Sequence, residues 1–152
     1  MRTITHSVDI PAPAATVWRV LTEIDRYDEW NPFMTGLSGR LAVGERLTVT
    51  IRPGARSLTF RPTVVAVEAG VLVRWRGSAW IPETFDSEHE LCLEPGPEDS
   101  TRFAQREVFT GKLVPALRRV IDDTESGFAA MNTALRERAI SSATGLPRAG
   151  RP

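Results

Sequence analysis

One cysteine in 152 residues, Cys92, leaves no partner for an intramolecular disulfide and no thiolate cluster for a metal. Lysine is almost missing: Lys112 is the only one among nineteen basic residues, a bias toward arginine. Net charge is missing too. Nineteen acidic residues cancel the nineteen basic ones, so no overall positive field gathers nucleic acid or an anionic membrane. No apolar run approaches the roughly 18 residues that span a bilayer. Met1 to Ser7 reads Met-Arg-Thr-Ile-Thr-His-Ser, without the apolar centre of a signal peptide. Gly36, Gly39 and Gly44 lack the spacing of a dinucleotide or phosphate loop. There is no nucleophile elbow, no His-Glu-x-x-His pattern and no acidic calcium loop. These absences set the expectation of a cytoplasmic protein, monomeric or homodimeric, with no nucleic-acid partner, no membrane span, no metal and no cofactor.

What is present is ordinary globular material, 41% apolar and 25% charged. The length suits one domain, and a chain of this size buries roughly 70% of its extended surface without staples. The domain is expected over residues 1–140. From Ser141 to Pro152 the chain is small, polar and proline-bearing, and is expected to be a disordered tail.

Hydrophobic periodicity orders the domain. Ile4, His6, Val8 and Ile10 alternate with Thr3, Thr5, Ser7 and Asp9, a half-buried strand. Pro11 and Pro13 end it and suit the entry to a helix. Val17, Trp18, Leu21 and Ile24 recur at helical spacing, and Asp25 suits the cap of a further short turn ending near Trp30. Six strands are then expected: 37–41, 47–51, 58–67, 71–77, 85–93 and 102–110. The run 58–67 changes parity around Pro62, which marks a bulge or an edge. A stripe through Leu117, Val120, Ile121, Thr124, Phe128, Met131 and Leu135 predicts a final helix of about 25 residues with Pro115 in its first turn. The result is an α+β arrangement, helices on one face of a seven-stranded antiparallel sheet. Gly77, Ala79 and Gly127 space the bulky groups, so a gap between sheet and helix is expected there.

At this point the sequence resembles the helix-grip (SRPBCC) superfamily, which includes START domains, the birch pollen allergen and the polyketide cyclase/dehydrase proteins. The resemblance rests on Ile10-Pro11-Ala12-Pro13-Ala14-Ala15-Thr16-Val17-Trp18, Leu21, Tyr27-Asp28-Glu29-Trp30-Asn31-Pro32, Trp75-Arg76-Gly77, His89-Glu90-Leu91 and Glu107-Val108-Phe109-Thr110-Gly111. It covers about residues 3 to 140. It implies a curved antiparallel sheet wrapped around the long C-terminal helix, with two short helices after the first strand. It also implies a small hydrophobic or aromatic metabolite as partner, carried or processed by polyketide-type cyclisation or dehydration. These motifs specify a fold far better than a reaction.

Parity points His6, His89, Gln105 and Glu107 inward. A turn centred near Glu98 sets His89 opposite Glu107 and Leu91 opposite Gln105, while a slip of two residues sets His89 opposite Gln105. Opposed side chains lie about 4.5–5.5 Å apart at Cβ, within hydrogen-bonding reach. A turn near Pro82 puts Trp75 beside His89. Three readings of this cluster stay open. In the catalytic one, Glu107 orients and charges His89, which exchanges protons with a bound carbonyl or hydroxyl, with Gln105 beside it. The cluster can instead hydrogen-bond a ligand, or it can be a satisfied pair bracing the sheet. The candidate ligand-binding residues are His6, Phe60, Trp75, Phe85, Phe103, Phe128, Met131 and Asn132, together with Trp30, Phe33 and Met34, where the resemblance implies a cavity mouth. Trp80 belongs to the same aromatic set. A cavity walled by His89 and Glu107 argues for an enzyme, one walled only by aromatics for a carrier, and a filled interior for an interaction module.

Overall fold

Alternation in the first strand does what the pleat requires. Ile4 and Ile10 are buried, His6 and Val8 half-buried, and Thr3, Thr5, Ser7 and Asp9 face solvent. The computed structural model describes residues 1–78 and 81–145. Its elements are β1 (Arg2–Ile10), α1 (Ala14–Thr22), a 3-10 helix (Ile24–Glu29), β2 (Met34–Ser38), β3 (Thr48–Ile51), β4 (Leu58–Phe60), β5 (Thr63–Glu68), β6 (Leu72–Ser78), β7 (Asp86–Pro95), a 3-10 turn (Pro97–Asp99), β8 (Thr101–Thr110) and α2 (Arg118–Thr144). The fold is α+β, with a long C-terminal helix against antiparallel sheets.

The strands number eight in two sheets, not seven in one: β1-β8-β7-β6-β5 and β2-β3-β4. The physical reason is Pro62. It has no N–H to donate, so the expected strand 58–67 breaks there into β4 and β5. The sheets stay joined at the break. Leu47 N–H donates to Pro62 O and Val64 N–H to Glu45 O, both at 2.9 Å, and Arg46 pairs with Thr63.

The register is the one set by a turn near Glu98. His89 lies opposite Glu107, Leu91 opposite Gln105, and Trp75 opposite His89 on the other side. β1 adds His6 opposite Gln105. On the outer face, Arg74 meets Glu90 and Arg76 meets Glu88, cross-strand ion pairs that contribute little individually.

Two local devices seat the helices. The Tyr27 hydroxyl donates to Leu21 O at 2.6 Å, folding the 3-10 helix back on α1. The Asn31 side-chain oxygen accepts from the backbone N–H of Phe33 (3.0 Å) and Met34 (2.8 Å), an Asx turn that launches β2 and aims Phe33 at α2. There Phe33 occupies the space over Gly127 and meets Phe128 edge-on at 5.8 Å. The gap expected at Gly127 is therefore filled. Ala79 and Trp80 lie outside the described residues.

α2 is 27 residues, about 40 Å long. It starts at Arg118 rather than around Pro115, because residues 111–117 first make their own turn, in which Leu117 N–H donates to Leu113 O at 3.0 Å. It also runs through Ser141 to Thr144, past the expected end of the domain. The remainder of the expected tail, residues 146–152, lies outside the described residues.

Candidate functional site

The interior divides in two. Beneath α2 from Gly127 onward it is solid: Trp75, Leu91, Leu93, Phe103, Phe128, Met131 and Leu135 are each no more than 2% exposed. Beneath the N-terminal half lies a cavity of about 470 Å³. That size suits a small organic ligand. Its wall is built from the ends of several strands. Ile51 comes from β3, Leu58 and Phe60 from β4, and Gly77 and Ser78 from β6. Phe85 comes from just before β7 and Ser87 from its start, Glu107 and Phe109 from the end of β8, and Leu117, Val120 and Thr124 from α2 or its cap. Phe85 stacks on Phe109 at 5.5 Å. Arg46, Arg56, Thr59 and Arg61 complete the rim.

Glu107 is the acidic side chain in that wall. It is 7% exposed, and burial pushes its carboxyl up to about 7. A hydrogen bond with the Ser87 side chain opposes the shift. No ion pair holds it among the described residues. At neutral pH the group therefore exchanges readily between acid and base forms, as general acid–base work requires. Thr124 adds a hydroxyl that donates to Val120 O at 2.8 Å and keeps lone pairs free.

His89 is elsewhere. It faces Glu107 in the ladder, yet its imidazole turns toward Gln105, whose Oε1 lies 3.1 Å from Nε2. It stacks on Phe128 at 4.9 Å and meets Trp75 edge-on at 5.2 Å. Burial among these rings lowers its pKa to about 4, so it is neutral near pH 7. The expectation that Glu107 charges His89 and raises its pKa fails for this reason: the nearest polar partner is a neutral amide.

The polar residues form a chain instead of a dyad. Gln105 Nε2 donates to Asn132 Oδ1 at 2.7 Å, and Asn132 Nδ2 lies 3.0 Å from His6 Nδ1. His89, Gln105, Asn132 and His6 thus tie β7, β8, α2 and β1 together and satisfy one another across the filled half. Buried amides without such partners would cost about 1–3 kcal/mol each.

Of the expected ligand-binding residues, Phe60 and Phe85 line the cavity. Phe33, Met34, Trp75, Phe103, Phe128 and Met131 pack the solid half. Trp30 borders a separate polar groove with Arg19, Arg26 and Arg138 between α1 and the end of α2. Ser87 and Thr124 were missed as candidates, though each had a signal: Ser87 shares the inward parity of His89, and Thr124 is the polar member of an apolar stripe. The rim arginines carried none, because pairing across the β3–β5 turns does not follow from periodicity. Among the described residues no three His, Cys, Asp or Glu side chains converge as metal ligands, and no helix is long and apolar enough to cross a membrane.

A sheet gripping a long helix over an apolar hollow defines a ligand-binding helix-grip protein. The chain belongs to the family described as polyketide cyclase / dehydrase and lipid transport, whose pattern matches residues 1–139. No curated protein matches it. Solved structures share the fold. An aromatase/cyclase from a Streptomyces species is 15% identical with a TM-score of 0.76, over 92% of this chain and 94% of that one. A norcoclaurine synthase from Thalictrum flavum is 18% identical with a TM-score of 0.72, over 92% and 94%. A START superfamily protein from Mycobacterium smegmatis is 19% identical with a TM-score of 0.68, over 89% and 97%. At these identities the likeness is one of fold.

Proposed function

We propose that the protein binds a small, largely apolar metabolite in the cavity under the N-terminal half of α2 and moves a proton on it through Glu107. The carrying observation is a buried carboxyl, held near pH 7 by its apolar surroundings, in the wall of a cavity sized for a ligand. Ionised Glu107 takes a proton from carbon next to a carbonyl. The same group, now protonated, returns it to oxygen or carbon, so that enolisation, ring closure or loss of water follows. Ser87 and Thr124, whose hydroxyl protons are already donated to Glu107 and Val120 O, orient the substrate by accepting from a substrate hydroxyl. Cavity shape supplies the folding of a reactive chain, and such orientation contributes several kcal/mol to ring closure. Polyketide-type cyclisation or dehydration fits this chemistry and the family.

The test uses a slowly enolising probe, 4-phenyl-2-butanone in D₂O, followed by proton NMR. Wild-type protein is expected to speed deuterium uptake next to the carbonyl, with a rate that rises through about pH 7. Glu107→Gln should abolish the acceleration and retain binding, whereas His89→Ala should retain both. Equal rates with wild type and Glu107→Gln would discard the catalytic reading. Saturable binding without any acceleration would leave a carrier, the reading favoured by the mostly apolar wall. Native mass spectrometry of the protein from its own cells would then identify the cargo.

A further inference from the structure

We propose that the cavity takes an amphipathic anion, its apolar body inside and its oxyanion head held at the rim by Arg46 and Arg61. This rests on the ligand-binding reading above and narrows it to a class of ligand.

Three arginines border the cavity, and they are not equivalent. Arg56 is neutralised by Asp123, whose Oδ2 accepts from Nη1 at 3.0 Å. Arg46 and Arg61 have no carboxylate within 4.0 Å among the described residues. Both are exposed, and the antiparallel pairing that sets Arg46 opposite Thr63 leaves Arg61 on the diagonal two residues along, with the same strand parity as Thr63. Glu107, the acid in the lining, sits inside the wall and is partly protonated at neutral pH, so it does not cancel them. The mouth therefore carries an uncompensated positive charge of two over an apolar hollow, in a chain whose total charge is zero. Guanidinium forks match carboxylate and other planar oxyanions. A ligand anchored there enters with its head outward and presents its far end to Glu107 and Ser87. The substrate class that follows is an acid with a bulky apolar body and an inner carbonyl or hydroxyl.

The test pairs two fluorescent probes that share a ring system. One is 8-anilinonaphthalene-1-sulfonate, which is anionic, and the other is N-phenyl-1-naphthylamine, its neutral counterpart. The anionic probe should displace the neutral one and bind wild-type protein more tightly. The double variant Arg46→Gln/Arg61→Gln should weaken the anionic probe about fivefold to tenfold, as expected for two partly solvated charge contacts. It should leave the neutral probe unchanged, which also shows that the variant is folded. Arg136→Gln, an exposed arginine on the far half of α2, should affect neither. The inference is overturned if the double variant spares the anionic probe, if Arg136→Gln weakens it equally, or if the two probes do not compete. Neutral-probe binding with no anionic advantage overturns this inference alone. Failure of both probes to bind wild-type protein overturns the cavity reading along with it.

Discussion

Glu107 and His89 face each other in one ladder and titrate in opposite directions for the same reason, burial. Burial favours the neutral form of each, which is the acid for Glu107 and the base for His89. The consequences for stability have opposite signs. Glu107 has a folded pKa near 7 against 4.5 for the ordinary group, so folding favours its protonated state. Its contribution is complete below about 4.5 and is lost as pH rises through 7. His89, lowered to about 4, favours folding above its ordinary 6.5 and loses that contribution as pH falls toward 4. Glu107→Gln keeps the shape and removes the titration. Urea unfolding from pH 5 to 9 should show wild type and variant closest at the acid end, with the gap widening as pH rises through 7. At the alkaline end the variant should be more stable by up to about 3 kcal/mol, the linkage equivalent of that shift. His89 is common to both proteins and cancels in the difference. A constant difference across this range would mean that Glu107 is ionised, or solvated, in the folded protein at every pH.

At the scale of elements, strand parity and turn signals narrowed the partner of His89 to Glu107 or Gln105 and set Trp75 beside it; the observed register selects Glu107. They were not enough to say where the imidazole turns. That choice is made by Asn132 and His6, which arrive from α2 and β1 and offer Gln105 a second partner. Sequence spacing along β7 and β8 holds no information about them. Gly127 illustrates the same limit. It reads as room for a ligand, yet the Asx turn at Asn31 delivers Phe33 into that room. A Cβ at 127 would overlap the Phe33 ring. Gly127→Ala is therefore expected to destabilise by about 1–3 kcal/mol through overpacking. This outweighs the gain of about 1 kcal/mol in helix propensity that the same exchange gives in an exposed helix. Thermal unfolding decides the sign: a higher midpoint for Gly127→Ala would mean that Phe33 does not sit against the helix.

For the molecule as a whole, the sheet-and-helix architecture was legible because long periodic segments carry it, whereas Pro62 read as a bulge or an edge within one strand rather than as the break that splits the sheet in two. The position of the hollow was not legible. Aromatic and methionine side chains look alike in sequence whether they fill a space or border one, and only the packing of α2 against Phe33, Trp75 and Phe103 closes the interior beyond Thr124. The two halves should consequently answer differently to changes of volume. Val120→Trp adds bulk to a half-buried position on the cavity wall. It is expected to weaken the neutral naphthylamine probe at least tenfold while the unfolding midpoint moves by only a few degrees, since the ring enters space already open. Met131→Ala removes volume from a fully buried position in the solid half. It should cost about 2–5 kcal/mol and leave the probe's affinity as it was. The opposite pattern, with binding lost in Met131→Ala and stability lost in Val120→Trp, would place the ligand under the other end of the helix, among Trp75, Phe103 and Phe128, and would return His89 to the wall of the site.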